Sequence, residues 1–138
     1  MYFSESMRIT LCSSAKFFDR LNTIRKELES RGYEIFFPHI WDWSGKSEDE
    51  IRKVQHDLIK DHFKKIEESD AVFVANYEKN GVYGYIGGNV FLEMGKAFDK
   101  GIPIFLLNDI PKESSYREEL LALQPIVIGE NWEKLEKH

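Results

Sequence analysis

Short apolar runs recur along the chain and alternate with longer segments in which the apolar residues follow a helical spacing. Such runs are apolar throughout, as strands are when a parallel sheet is covered on both faces. Glycines, prolines and polar clusters mark where each run stops. The pattern predicts five strands: Arg8–Cys12, Tyr33–Phe37, Ala71–Ala75, Ile102–Leu107 and Pro125–Ile128.

The segments between these strands carry helix signals. Apolar residues at helical spacing run from Phe17 to Leu28, and Gly32 is placed to end that helix as its C-cap. Ser47-Glu48-Asp49-Glu50 is a capping-box sequence, so a second helix is predicted from there to about Glu68. Further helices are predicted from Asn89 to a point before Gly101, over Ser115–Leu123 and over Asn131–His138.

Strands that alternate with helices predict a parallel sheet with helices on both faces. We therefore expect a single doubly wound, flavodoxin-like or Rossmann-like α/β domain over residues 1–138, with a five-stranded, mainly parallel sheet. Ligands of such sheets bind beyond the carboxyl ends of the strands. That edge collects Cys12–Ser14, Pro38–Trp43, Asn76–Asn89 and Asn108.

Composition narrows the classes of partner. Lys and Arg number 19 against 24 Asp and Glu, and the net charge of −5 argues against a general nucleic-acid-binding protein. The single cysteine, Cys12, excludes an intrachain disulfide and a cysteine-rich zinc site, and it is interpreted as a small buried hydrophobic residue. No His, Cys and Asp cluster has ligand spacing, so we expect no metal, and the sequence indicates no cofactor.

No apolar run approaches the roughly 20 residues that span a membrane. Met1–Ser6 lacks a signal-peptide-like apolar stretch, so a cytoplasmic protein is expected.

The stretch Gly87–Gly95 gives the strongest functional signal. Gly87 and Gly88 are expected to let the backbone turn tightly and approach a ligand closely, and Asn89 is a candidate N-cap. A helix start that follows a strand offers free N–H groups and the positive end of the helix dipole, which suit an anion. Glu93, in the first turn and on the flank of the apolar face, is a candidate nucleophile or general base. The simpler interpretation is an acidic residue that complements the helix dipole.

Other residues near the same edge have two interpretations each. His62 lies near the middle of an apolar helix face, where it is either a hydrogen-bonded core residue or a catalytic group. Ser13 and Ser14 either donate hydroxyls to a phosphate or sugar, or cap the first helix. Trp41 and Trp43 either stack on a base or pack on the core or on a second subunit.

Four segments together resemble a known family: Phe63–Asp70, Ala71–Ala75, Gly87–Gly95 and Lys100–Leu107. In this order they are similar to the nucleoside 2-deoxyribosyltransferase superfamily, which includes the deoxynucleoside 5′-monophosphate N-glycosidases. The sharpest motif is an apolar residue, Glu, an apolar residue and Gly at a helix start, here Leu92-Glu93-Met94-Gly95. The resemblance covers most of the chain from the first predicted strand to the fourth.

The resemblance implies an N-glycosidase or deoxyribosyltransferase that acts on a small-molecule nucleoside or nucleotide. It implies that Glu93 attacks the anomeric carbon, that the base leaves with the help of protonation, and that water or a second base resolves the covalent glycosyl-enzyme with net retention. Members of the superfamily usually form homodimers or higher homo-oligomers in which neighbouring subunits complete the site. The residues expected to hold the phosphate, sugar or base are Ser13, Ser14, Gly87, Gly88, Asn89 and Trp41.

Three positions depart from the superfamily pattern. An acidic residue common eight positions before Asp70 is here His62, which is expected to act as a general acid or to orient Glu93. The acidic residue often found six positions before the nucleophile is here Gly87, and this loss of negative charge favours a phosphorylated substrate. An early-strand tyrosine of some members corresponds to Thr10.

Two alternatives stay open. A phosphoribohydrolase of the cytokinin-activating type has a similar Gly-Gly…Glu motif, although the five-residue spacing from Gly88 to Glu93 is one short of that pattern. The other alternative is a non-catalytic nucleotide-binding or sensing module on the same fold, because a fold alone does not decide function.

Overall fold

Five strands and five helices alternate along the part of the chain that the structure describes, a computed structural model covering residues 7–38 and 42–136. A 3-10 turn, Ala15–Phe17, leads into the first helix. The strands are β1 (Arg8–Cys12), β2 (Glu34–Phe36), β3 (Ala71–Val74), β4 (Ile104–Leu106) and β5 (Ile126–Val127). The helices are α1 (Phe18–Ser30), α2 (Glu48–Glu67), α3 (Gly88–Asp99), α4 (Arg117–Ala122) and α5 (Glu133–Glu136).

The strands form one sheet in the order β2-β1-β3-β4-β5, and every neighbouring pair in the described residues is parallel. The predicted doubly wound α/β fold is therefore confirmed, with a sheet that is parallel throughout rather than mainly so. The chain places β2 on one side of β1 and then crosses to β3 on the other side, so the strand order reverses between β1 and β3. In doubly wound sheets this reversal opens a crevice at the carboxyl ends of the strands.

Both faces of the sheet are covered, which explains why the strands are apolar throughout. Alternate side chains of a strand point to opposite faces, so Phe73 packs with α1 while Val72 and Val74 pack with α3. The layer of α1 and α5 contributes Leu21, Ile24, Leu28 and Leu135 to the core. The opposite layer of α2, α3 and α4 contributes Ile66, Val90, Met94, Ala97 and Leu120.

Two helix ends follow their sequence signals. Gly32, with a φ of +91°, and Tyr33 return N–H hydrogen bonds to the last turn of α1 in a Schellman motif. Ser47 caps α2, because its hydroxyl accepts the Glu50 backbone N–H at 3.2 Å. Ile66 is the fully buried side chain of α2, so this long helix is anchored through its C-terminal turns.

The start of α3 differs from the prediction. Asn89 is wrong as the N-cap, since the helix begins at Gly88 and its N-cap is Gly87, which makes no side-chain cap. Gly87 has a φ of −84° and Gly88 is helical. Neither glycine therefore needs the left-handed region, and the expected tight glycine turn is wrong. No side chain of residues 7–38 and 42–136 accepts a hydrogen bond from the first N–H groups of α3.

The last two helices are shorter than predicted. Helix α4 begins at Arg117 rather than Ser115, because the Ser114 hydroxyl accepts the Tyr116 N–H at 3.2 Å and holds the preceding residues in a turn. Helix α5 is a short segment whose buried side chain is Leu135. Residues 137 and 138 of the predicted terminal helix lie outside the described residues.

A pair of asparagines ties together the loops that follow β3 and β4. The buried Asn76 donates from Nδ2 to the Asn108 carbonyl at 2.8 Å, and its Oδ1 accepts the Asn108 N–H at 2.9 Å. The Asn108 side chain in turn donates to the Asn76 carbonyl at 3.0 Å. Gly84 packs beside this clamp with a φ of +74°, and a Cβ at that position would collide with the Asp109 carbonyl oxygen.

We expect the substitution Gly84→Ala to destabilise the protein by about 1–3 kcal/mol, because it adds left-handed strain and a backbone collision. Gly95→Ala is the matched control, since Gly95 lies within α3 and a Cβ there meets open space. The control should gain about 0.5–1 kcal/mol from the lower entropy of the unfolded chain. Urea unfolding of both variants measures the difference. Equal stability of Gly84→Ala and the wild type would contradict the clamp.

Candidate active site

A cavity of about 140 Å³ lies at the edge where the strand order reverses. Its walls come from the residues after β1, from α1, from the loop after β2, and from α2 and α3. The lining residues are Ser13, Ser14, Ala15, Leu21, Pro38, Trp43, Gln55, Leu58, Ile59, His62, Phe63, Asn89, Leu92 and Glu93.

Glu93 is held in the wall of this cavity by two hydrogen bonds to one oxygen. The residue is 7% exposed on α3, which also buries Met94 in the core. It lies in the second turn of the helix rather than the predicted first turn, because α3 begins at Gly88. Its Oε2 accepts from the Cys12 thiol at 3.0 Å and lies 3.1 Å from His62 Nδ1. Oε1 has no hydrogen bond to a described residue. Since the described residues contain no buried side-chain oxygen that lacks a partner, Oε1 is accessible to solvent, on a residue that lines the cavity.

His62 reaches Glu93 from α2, and its side chain is 14% exposed. It lies one turn before Ile66, the buried anchor of α2, so the packing of α2 against α3 turns the imidazole toward the carboxylate. When Glu93 is ionised it only accepts hydrogen bonds, so His62 carries a proton on Nδ1 in this contact. The structure thus brings together the two residues that the sequence nominated for catalysis.

Cys12 is the residue of this cluster whose role the sequence did not reveal. It is fully buried at the end of β1, as expected of a small hydrophobic residue, but its thiol also contacts the carboxylate. Burial and, after it, the neighbouring Glu93 charge raise the pKa of the Cys12 thiol well above its usual range. The thiol therefore stays protonated and donates to Glu93. The signal in the sequence was its position, directly before Ser13 at the carboxyl end of a strand.

Three other nominated residues line the cavity. Ser13 donates its hydroxyl to the Ala75 carbonyl at 2.8 Å and so joins the ends of β1 and β3. Ser14 caps the 3-10 turn by accepting the Lys16 N–H at 3.4 Å, which supports the capping interpretation. Asn89 is exposed in the first turn of α3 and makes no side-chain hydrogen bond to a described residue.

The remaining nominated residues are not in the cavity wall. Gly87 and Gly88 precede Asn89 at the start of α3, and neither lines the cavity. Trp41 lies outside the described residues. Trp43, the other tryptophan of that loop, is half-buried and lines the cavity together with Pro38.

The ionisable side chains in the described cavity wall are Glu93 and His62, and no Lys or Arg of the described residues lines it. A negatively charged ligand group would therefore be held there by neutral N–H and O–H donors. In residues 7–38 and 42–136, no group of three or more His, Cys, Asp or Glu side chains is placed to hold a metal ion. None of the helices in this described part of the chain combines the length and apolar character needed to cross a membrane.

Comparisons with known proteins identify the fold. No protein-family model matches the chain. No curated protein matches it either. Among solved structures, the chain is similar to a conserved protein from Enterococcus faecalis V583, with 14% identity, 96% of each chain covered and a TM-score of 0.57. It is also similar to FerB, a flavoenzyme NAD(P)H:(acceptor) oxidoreductase from Paracoccus denitrificans, with 17% identity, 90% of this chain and 76% of that chain covered, and a TM-score of 0.51.

A third similar structure is a 2-deoxyribosyltransferase from the psychrotolerant bacterium Bacillus psychrosaccharolyticus. It shares 18% identity over 72% of this chain and 70% of that chain, with a TM-score of 0.49. At their identities the two structures with TM-scores above 0.5 show a shared fold alone, and the chemistry has to be argued from the cavity itself.

The buried Cys12 thiol gives a pH dependence of stability. The unfolded thiol loses its proton near its usual pKa of 9.0, whereas the folded thiol keeps it to higher pH. The unfolded state then binds fewer protons, so the free energy of unfolding falls as the pH rises through 9, by at most about 1.4 kcal/mol per pH unit. Urea unfolding between pH 8 and 10 measures this fall.

The control is Cys12→Ser, which keeps a donor to Glu93 but does not titrate in this range. Its stability should fall less over the same interval. Tyr33, Tyr77 and Tyr116 have raised pKa values, mainly through burial, and affect both proteins alike above pH 10. Identical pH dependence in the two proteins would show that Cys12 is not held protonated by the fold.

Proposed function

We propose that this protein cleaves the N-glycosidic bond of a small-molecule nucleoside or nucleotide, with Glu93 as the nucleophile. The observation that carries the proposal is the state of the Glu93 carboxylate. One oxygen is fixed by two side chains, and the other is accessible to solvent on a residue that lines the cavity at the strand reversal of the sheet. A carboxylate fixed in this way is a suitable nucleophile toward a sugar carbon with oxocarbenium character.

The reaction proceeds in two displacements. Glu93 Oε1 forms a bond to the anomeric carbon while the bond from that carbon to the base nitrogen breaks, and its electron pair leaves with the base, which takes up a proton. Water, or the nitrogen of a second base, then attacks the same carbon and loses a proton as the ester bond to Oε1 breaks. Two inversions give net retention at the anomeric carbon.

His62 and Cys12 act on the nucleophile rather than replace it. Both contact Oε2, so they restrict rotation of the carboxylate and leave Oε1 as the reacting atom. His62 also lines the cavity, beside the reacting centre. We infer that His62 orients Glu93 and assists proton transfer, the work of the acidic residue that the superfamily has at this position.

The substrate is held by groups with separate tasks. The sugar occupies the cavity beside Glu93, with Ser13, Ser14 and Asn89 around it. In the described residues, the N–H groups at the start of α3, at Gly88 and after it, have no side-chain cap, and we propose that they receive a 5′-phosphate. Trp43 offers an aromatic face to the base. The role of Trp41 stays a prediction, since that residue lies outside the described residues.

The cavity holds only part of such a substrate. Its volume of about 140 Å³ is well below the roughly 300 Å³ at which ligand pockets usually begin. The rest of a nucleotide therefore extends beyond the described wall. A second copy of the chain that covers this opening, as in the superfamily, accounts for the missing surface, and we propose a homodimer or higher homo-oligomer.

The second candidate is a non-catalytic nucleotide-binding or sensing module. It is favoured by the replacement of two acidic helper positions with His62 and Gly87, which removes charged groups that the superfamily uses. The shared fold of the FerB flavoenzyme also shows that this architecture serves proteins with other chemistry. The two candidates differ in whether a ligand is consumed.

We expect wild-type protein to release free base from at least one member of a panel of ribonucleosides, deoxyribonucleosides and their 5′-monophosphates. The near-isosteric change Glu93→Gln should lower that release by at least about 10³-fold, because it removes the nucleophile. Chromatography of the free base measures both proteins, with an acceptor base added in a parallel series. Glu118→Gln, an exposed change on α4, is the control and should leave the rate unchanged. Nucleotide binding without release by the wild type would favour the sensing module.

We expect Gly88→Ala to weaken binding of monophosphates selectively. A Cβ at Gly88 meets no protein atom within 4 Å, so the fold tolerates it. The added methyl group would occupy space next to the N–H groups proposed to receive the phosphate. KM for a 5′-monophosphate should rise by about tenfold, which corresponds to about 1.4 kcal/mol.

Matched comparisons separate this effect from a general loss. KM for the corresponding nucleoside should change little in Gly88→Ala, and Gly95→Ala should leave both constants near their wild-type values. An equal rise of KM for nucleoside and monophosphate would contradict a phosphate site at the start of α3.

A further inference from the structure

Some polar side chains of the cavity wall hydrogen-bond within the protein, and others have no such partner among the described residues. Glu93 bonds with His62 and Cys12, Ser13 bonds with the Ala75 carbonyl, and Ser14 bonds with a backbone N–H. Two polar side chains in the wall, the carboxamides of Gln55 and Asn89, make no hydrogen bond to a described residue. Each offers a donor and an acceptor to a ligand.

These two carboxamides lie at different distances from the nucleophile. Asn89 precedes Glu93 by four residues on α3, about one turn, so it borders the reacting centre. Gln55 precedes His62 by seven residues on α2, so it lies on the same helix face about 10.5 Å farther along the axis. Of the residues by which α2 lines the cavity, Gln55 is therefore the one farthest along the helix from the Glu93–His62 contact.

The surroundings of Gln55 suit a flat, uncharged ring. Leu58 and Ile59 lie beside it on α2, and Trp43 lines the cavity from the loop after β2. No charged side chain of the described residues lines this end of the cavity. An apolar and aromatic wall with one carboxamide recognises an aromatic ring through stacking and through a donor–acceptor pair at its edge.

The direction of the displacement connects this end of the cavity with the base. A nucleophile attacks the anomeric carbon from the side opposite to the leaving group, so the base lies beyond the sugar as seen from Glu93. A side chain that hydrogen-bonds the edge of the base away from the sugar must be separated from the nucleophile by the combined length of the sugar and the base ring. Among the uncommitted polar side chains of the described cavity wall, Gln55 meets this condition and Asn89 does not.

We propose that Gln55 determines base specificity, with its carboxamide donating one hydrogen bond to the base edge and accepting another. The proposal rests on the proposed N-glycosidase function, and it names the group that selects the substrate of that site. Adenine presents such a pair at its N6 and N7 atoms, which glutamine recognises in a bidentate manner. Adenine nucleotides are therefore the first substrates to examine.

The test combines a protein variant with a substrate analogue. Gln55→Met keeps the length of the side chain and removes its hydrogen bonds. The first pair of substrates is deoxyadenosine 5′-monophosphate and its analogue in which unsubstituted purine replaces adenine. A second pair is the nucleotide of whichever base the wild type releases best and its analogue that lacks the exocyclic group of that base. The wild type should prefer the substituted base by at least about tenfold in kcat/KM. Gln55→Met should lose that preference, with a smaller fall in kcat/KM on the analogue, which keeps N7 but lacks the N6 group. Lys53→Met, an exposed change on α2, should retain the wild-type preference.

An equal fall of kcat/KM on both substrates in Gln55→Met, or no fall on either, would overturn the role of Gln55 while leaving the proposed function in place. Calorimetric titration with free adenine, and with the free base that the wild type releases best, gives a second measurement that does not need turnover. If the wild type releases no base, tighter binding of a free base by the wild type than by Gln55→Met supports the base site without the catalytic proposal. Equal binding by the two proteins, or no binding by the wild type, overturns it.

Discussion

The contact between α2, α3 and the end of β1 at one carboxylate oxygen is the constraint on which the rest of the site depends. Glu93 is nearly buried, and a buried charge costs several kcal/mol unless hydrogen bonds and a partner offset it. His62 and Cys12 supply that compensation from two other elements of the fold. The carboxylate is thus stabilised where α2 packs on α3 next to the end of β1. The same contacts bind Oε2 and leave Oε1 as the oxygen without a protein partner among the described residues.

The need to hold His62 against Glu93 gives a reason for the length of α2, a helix that contributes few buried side chains to the core. Ile66 anchors the helix near its C-terminal end, and the earlier turns extend along the cavity rather than into the sheet. The apolar side chains of these turns are partly exposed, and apolar surface left in water does not stabilise a helix. In the proposed function these side chains form part of the wall of the binding site, where a ligand would cover them.

The sequence predicted the fold well because the fold depends on local patterns. Each strand lies within its predicted apolar run, and the parallel order follows from the alternation of strands and helices. The sequence also nominated Glu93 and His62 separately, but not their contact, since these residues lie 31 positions apart on different helices and meet only through interhelical packing. Cys12 was missed for the same reason. Asn89 was wrong as a cap because good capping chemistry does not fix where a helix begins, and here Gly87 took that position without a side chain.

The asparagine clamp between the loops after β3 and β4 has a consequence for how this protein can change over evolutionary time. The chain leaves the sheet at Asn76, makes an excursion whose tip is bridged between Lys79 and Val82, and returns at Gly84 to the same clamp before α3 begins. Length can therefore be added or removed at the tip of this excursion without shifting the helix that carries Glu93. The loop is free to acquire new partners or substrates, while the chemistry next to it keeps its alignment.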